Sequence, residues 1–476
     1  MNYGKDRAAS PLKAIAREDL GLARWRGGHR SPRATGCAVI LARLMVELLL
    51  ILLGGRGVRR GWWLIGLVGL AWGSLGVFFF INGLNDESRL HPVYFAIPLA
   101  IESTLSLIAA LGVAGSVRLL RVGQGAGLLA LTLLILLYPW HGGLLIGFLF
   151  GSMLVIDAGW RAVSAHIVRY PGWRLSLSYA ALEFAGGCWS FIPWPTHWRG
   201  EVAYDVATWL TVTAVGICAV ALRLRQLPAG KSVAALFTRG WPADETPVTE
   251  PGGRFARAGR CDATVHVWTP TGRLVSVNRS LSRYIAAVDA KGNVSTGHAA
   301  LEAPGLYISH YPATDLDRSK VDFRKILRAT RDNDVQGRFL TSYEAEVADW
   351  QPSTLRVTIK NLNAQGLGTF WAAYRRDATY NLTDRNCSTA VAKALDAGLE
   401  GIFEAHGRSL SFLARLFMAP ELRLAGFLRH RAAAMTWTPG LVLDYARALS
   451  ILTALPERSW DRRNEARGAG KQNVSG

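Results

Sequence analysis

The residue best placed for chemistry is Cys387, in the stretch Tyr380 to Leu395, YNLTDRNCSTAVAKAL. Val391, Ala392 and Leu395 follow it at amphipathic spacing, which predicts a helix starting at or just after the cysteine. Exposed amides and the positive end of the helix dipole stabilise a thiolate at such a position, so the thiol pKa is expected to be lowered. The plainer alternative is a buried cysteine that packs as a small hydrophobe.

Two histidines upstream supply a second half for this chemistry. In Ser295 to Pro312, STGHAALEAPGLYISHYP, two short runs flank Ala303-Pro304-Gly305. A three-residue connection ending in glycine predicts a tight β-hairpin. That loop pairs Glu302 with Leu306 and carries His298 directly across from His310, where cross-strand Cβ atoms lie about 5 Å apart. One imidazole could then take the thiol proton while the other fixes its tautomer, the nucleophile, base and orienter arrangement of thiol catalysis. Two surface histidines on an edge strand are the alternative.

The order histidine, histidine, then Asn-Cys opening a helix resembles the circularly permuted NlpC/P60 papain-like superfamily, whose best-known branch is the lecithin:retinol acyltransferase-like proteins. The resemblance spans roughly residues 265–399. It implies His298 as general base, His310 as orienting residue and Cys387 as nucleophile, with Asn386 and Ser388 supporting the oxyanion at the helix start. After the cysteine the acyltransferase branch usually has acidic and histidine residues, whereas this chain has Ser-Thr-Ala. That departure leaves the substrate more open than the reaction.

Stepping outward, the 476-residue chain is half hydrophobic, only 19% charged and carries 17 tryptophans, the composition of a membrane protein with a soluble appendage. Its formal net charge is +19, with many arginines flanking apolar runs, and no nucleic-acid motif accompanies the charge. Five cysteines form neither a disulfide framework nor a zinc spacing, and reduced thiols fit a cytoplasmic domain. No glycine-rich nucleotide loop, metal cluster or usable carboxylate dyad is evident, so no cofactor or metal is expected.

Residues 1–35 read as a basic disordered tail. Residues 36–54 are apolar but contain Arg43 and Glu47, and are expected to lie in the interface or to span. Across 61–223 run six apolar stretches, near 61–83, 92–116, 123–140, 142–165, 174–193 and 203–223, each about the 20 residues that a bilayer core requires. Alternating arginines place 55–60, 117–122, 166–174 and everything after 223 in the cytoplasm. Glycine-rich helix pairs and the Tyr138-Pro139 ending resemble the HdeD (DUF308) family of bacterial inner-membrane proteins associated with acid resistance. Glu102, Asp157 and Glu183 lie within these stretches and could form a proton or ion path. Arg161, one turn from Asp157, favours structural pairing instead.

Residues 224–260 read as a linker, 261–405 as the thiol domain, 406–455 as a helical extension packed on it or lying on anionic lipid, with packing the default, and 456–476 as a disordered tail. Within the thiol domain, Ala263 to Trp268, Ser342 to Val347 and Thr354 to Ile359 are expected as strands, and Leu281 to Val288, Val321 to Thr330 and Gln365 to Ala378 as helices. The predicted architecture is multi-domain: a polytopic α-helical membrane bundle plus a C-terminal α+β papain-like domain. The expected activity is a bacterial inner-membrane, membrane-tethered cysteine hydrolase or acyltransferase working through an acyl-cysteine, with membrane lipids and a peptide, protein or lipid substrate as partners. The competing expectation is a non-enzymatic acid-stress membrane protein with a degenerate binding domain.

Overall fold

In a computed structural model the described residues are 37–84, 93–111, 116–138, 142–170, 172–192, 201–228, 230–242, 259–268, 287–288, 294–295, 297–314, 327–407 and 409–455. Both predicted tails, and residues 243–258 of the predicted linker, lie outside them. So do most of the helices expected at 281–288 and 321–330; Ala287–Val288 is a strand rather than a helix end.

The first described helix, α1 (Cys37–Leu53), differs from the interfacial or spanning segment expected there. Leu48, Ile51 and Leu52 are fully buried in protein, in one core with the soluble domain. Residues 401–403 close its end: Gly401 N–H donates to the Ile51 carbonyl at 3.0 Å and Phe403 N–H to that of Leu52 at 2.9 Å. Gly54 has φ +79° and lies so close to Gly401 that a side chain there would strike its backbone. Over residues 45–53 this apolar run thus packs into the protein core.

Six helices follow where the apolar stretches predict them: α2 (Trp62–Leu84), α3 (Val93–Leu111), α4 (Ser116–Leu137), α5 (Gly142–Val168), α6 (Trp173–Trp189) and α7 (Glu201–Gln226). Among the described residues, three are long and apolar enough to cross a membrane, over Trp62–Leu84, Ile146–Val168 and Ala203–Gln226. Their outer faces expose large apolar side chains such as Leu70, Phe78, Ile156 and Val215, as lipid-facing helices do. Small residues let helices approach: a Cβ on Gly151 would come within 2.7 Å of the Gly187 carbonyl of α6.

The predicted linker is docked along its first part. Glu400 accepts from Val233 N–H at 2.9 Å and from the Ser232 hydroxyl, Arg239 pairs with Asp384, and Trp241 packs on Phe370.

The soluble region is α+β. Strand β1 (Arg260–Trp268) pairs antiparallel with β2 (His298–Ala303) on one side. Strands β3 (Leu306–Ile308), β4 (His310–Pro312) and β5 (Val335–Phe339) follow, then helix α8 (Tyr343–Asp349), strand β6 (Leu355–Asn363) and helix α9 (Ala364–Tyr374). After β7 (Thr379–Tyr380) comes helix α10 (Cys387–Leu399). Sheet order is β3-β2-β1-β6, with β4-β5-β7 as a second, three-stranded sheet. Alternation splits β1: Ala263, Val265 and Val267 enter the main core, while His266 and Trp268 face the other way beneath α8.

The strand expected over Ser342 to Val347 is helix α8. Ser342 caps it, accepting from Ala345 N–H at 3.1 Å, and a first-turn Glu344 suits the helix dipole. The extension forms α11 (Leu410–Met418), α12 (Pro420–Ala434) and α13 (Pro439–Thr453), packed on the domain as expected. Arg429 of α12 and Tyr445 of α13 both bond the buried Asp396 of α10, at 2.8 and 2.7 Å.

Candidate active site

Cys387 is the first residue of α10, as its sequence predicts. Asn386 is the N-cap: its Oδ1 accepts from Thr389 N–H at 2.7 Å, and its amide donates to Leu382 O, Thr436 Oγ1 and Trp437 O. With every polar atom engaged, the Asn386 side chain supports the site by fixing the helix start. Ser388 is buried, its Oγ 3.8 Å from the sulfur. All of α10 is buried, so the thiol sits at the mouth of a rigid core helix.

The His298 imidazole, at the first residue of β2, and the Ala299 N–H both act on the Cys387 thiol. His298 Nε2 lies 3.0 Å from Glu346 Oε1 and 3.1 Å from Ser309 Oγ, which leaves Nδ1 for the thiol. The Tyr311 ring stacks on the imidazole at 4.0 Å and 13°.

Glu346, on α8, is fully buried and accepts from three donors: His298, the Tyr311 hydroxyl at 2.6 Å and the Tyr307 hydroxyl. Burial alone would raise its pKa, but the hydrogen bond and charge of His298 and the two tyrosines hold it below the usual carboxylate range. Sequence reasoning missed this residue by reading its segment as a strand. The signal was Ser342 as a cap, with Tyr343 and Glu346 three apart on one helix face.

Burial likewise opposes charge on Cys387 and His298, and their mutual attraction overrides it. Burial would push the thiol up, yet the charge and hydrogen bond of His298, helped by Ala299 N–H, hold it lower. Burial would push His298 down, yet Cys387 and Glu346 raise it to about 9. Each group therefore favours the charged form of the other.

His310 does not join them. The hairpin turn has two residues rather than three: Ala303 pairs with Leu306 and Leu301 with Ile308. Proline followed by glycine at φ +71° makes the turn, so the register slips by one and Tyr311, not His310, meets His298. At Ser309 the chain leaves the first sheet, and His310 pairs with Phe339 in the second. Its ring is boxed by Phe339, Tyr374 and Tyr380, with Nδ1 3.1 Å from the Tyr374 hydroxyl. Burial and nearby Arg385 depress its pKa to about 3, so it stays neutral. Gly337 is required beside it, since a Cβ there would collide with His310 Nε2 and the Ala378 carbonyl.

Among the described residues no His/Cys/Asp/Glu group has the arrangement to hold a metal. No family model, curated protein or solved structure matches the chain. The functional reading therefore rests on this geometry and on the motif resemblance.

Proposed function

We propose that the chain is a membrane-tethered thiol hydrolase or acyltransferase. The observation that carries this reading is the Cys387 sulfur at a helix N-terminus, beside an imidazole whose Nε2 rests on a buried carboxylate. The Cys387 thiolate attacks the carbonyl carbon of an amide or ester. Oxyanion charge falls on first-turn amides; Thr389 N–H is taken by Asn386, leaving those of Cys387 and Ser388, which have no intrahelical acceptor. The His298 imidazolium gives its proton to the leaving amine or alcohol, and an acyl-cysteine remains. Water, or a second alcohol or amine, then attacks the thioester and returns a proton to His298 as the thiolate departs. Glu346 replaces His310 as the group that orients His298.

Six spans in a bacterial inner membrane, with the thiol domain on the cytoplasmic side, complete the reading. Two contacts support docking at the C-terminal ends of α5 and α7: Ala329 N–H donates to the Val168 carbonyl at 2.7 Å, and residues 232–234 bind Glu400. Such tethering favours lipid-borne or membrane-protein substrates.

The test is alkylation of the full-length protein by iodoacetamide at pH 6, read by peptide mass spectrometry. Cys387 should react far faster than Cys261, whose thiol is pushed up by burial and by Asp262. Equal rates at the two cysteines would end the thiolate reading. Conversion of a p-nitrophenyl ester to a Cys387 acyl adduct, absent in Cys387→Ala, separates an enzyme from a reactive thiol in a binding domain.

A further inference from the structure

Between α5 and α6 two carboxylates share one arginine. Arg161 Nη2 lies 3.0 Å from Asp157 Oδ2, and Arg161 Nε lies 3.1 Å from Glu183 Oε2. All three side chains are about nine-tenths buried, and Glu183 Oε1 has no hydrogen-bond partner among the described residues. One guanidinium between them makes the two carboxylates neighbours. Two ionised carboxylates across a single guanidinium repel, whereas one shared proton removes that repulsion.

Depth sharpens the point. Asp157 is about 16 Å along the helix from its end at Val168, roughly half the ~30 Å thickness of a bilayer core. An ionisable group at mid-depth is costly unless it is neutralised, and Arg161 can neutralise only one of the two. Other buried polar atoms around the bundle also lack partners: Ser164 Oγ on the Asp157 face of α5, and Trp209 Nε1 and Thr213 Oγ1 on α7. Trp209 and Thr213 continue the helical stripe of Asp205, which accepts from Ser190 of α6 at 3.1 Å. Such a line of atoms is suited to water and proton exchange.

The charged groups on neighbouring elements do not supply the missing positive charge. From α7 the stripe brings Asp205, held by Ser190. From α12, Arg431 stacks on Trp160, and from α1, Glu47 acts on Arg429. A cation is disfavoured because the guanidinium already lies against both carboxylates.

We propose that Asp157 and Glu183 form a single-proton binding site within the membrane region, with Arg161 as the fixed counter-charge. The proton is exchanged with water and no bond other than O–H is made or broken. The site rests on the membrane reading and is independent of the thiol chemistry.

The test is infrared difference spectroscopy on the full-length protein in phosphatidylcholine nanodiscs, following the carbonyl stretch of a protonated, buried carboxylic acid across pH. Isotope-labelled aspartate and glutamate in the unmutated chain should assign one such band to the pair at neutral pH. Either Glu183→Gln or Asp157→Asn should abolish it, because the remaining carboxylate pairs with Arg161 alone. A band absent from the unmutated chain, unchanged in both variants, or lost when choline is exchanged for sodium overturns the proposal.

Discussion

The two histidines of the C-terminal domain are both buried, both near aromatic rings and only twelve positions apart, yet their pKa values shift in opposite directions. His298, between a thiol and a carboxylate, is raised to about 9; His310, in an aromatic box facing Arg385, is lowered to about 3. Burial disfavours the imidazolium in both cases, so the neighbouring charge decides the outcome. A histidine one position away from the residue that meets His298 becomes part of the packing.

The comparison breaks most readily at His298. On the proposed mechanism His298→Ala should cut kcat/KM for an ester substrate by roughly a thousandfold or more, whereas His310→Phe should leave it within a few-fold. Comparable losses in both variants would erase the distinction.

Next comes Glu346→Gln, which keeps the shape but removes the charge. A loss on the order of a hundredfold is expected, with kcat rather than KM carrying it. The pH profile should change with it. Protonating the leaving group needs the imidazolium, so activity in the unmodified chain should fall as pH rises through about 9. Without the carboxylate that raises His298, the alkaline limb should move to lower pH. An unmoved limb would show that Glu346 only packs.

A third, smaller effect concerns stability in acid. Folded His310 stays neutral down to about 3, while an ordinary imidazole protonates near 6.5, so the unfolded chain binds more protons between those values. The contribution of His310 to stability is therefore present above 6.5 and lost as pH falls toward 3. His310→Phe should shift the acid midpoint of unfolding to lower pH, measured by circular dichroism. His298 has the opposite sign: its contribution is complete below 6.5 and is lost as pH rises through about 9.

The smallest expected change is Asn386→Ala. Losing a helix cap costs about 1 kcal/mol, and that cost should appear in thermal unfolding. Because the side chain offers no donor to the oxyanion, kcat should fall far less than for Glu346→Gln.

How much of this was legible in advance follows the range of the interactions. The helix after Asn386 was readable because a cap and an apolar spacing lie within a few residues of one another. Helix α8 was misread because Tyr343 to Asp349 is short enough to pass for an alternating strand. The pairing of His298 was misplaced by one residue because a single turn, Pro304-Gly305, sets the register of the whole hairpin.

By itself the sequence determined the position of the cysteine at a helix start and the helices of 62–226, since capping and apolar length are local properties of the chain. Only the tertiary structure decided that Glu346, not His310, meets His298, and that residues 45–53 of α1 are buried in protein. Both depend on which surfaces meet across long stretches of chain. Burial and the pairing of charges are properties of those meetings and not of any one segment.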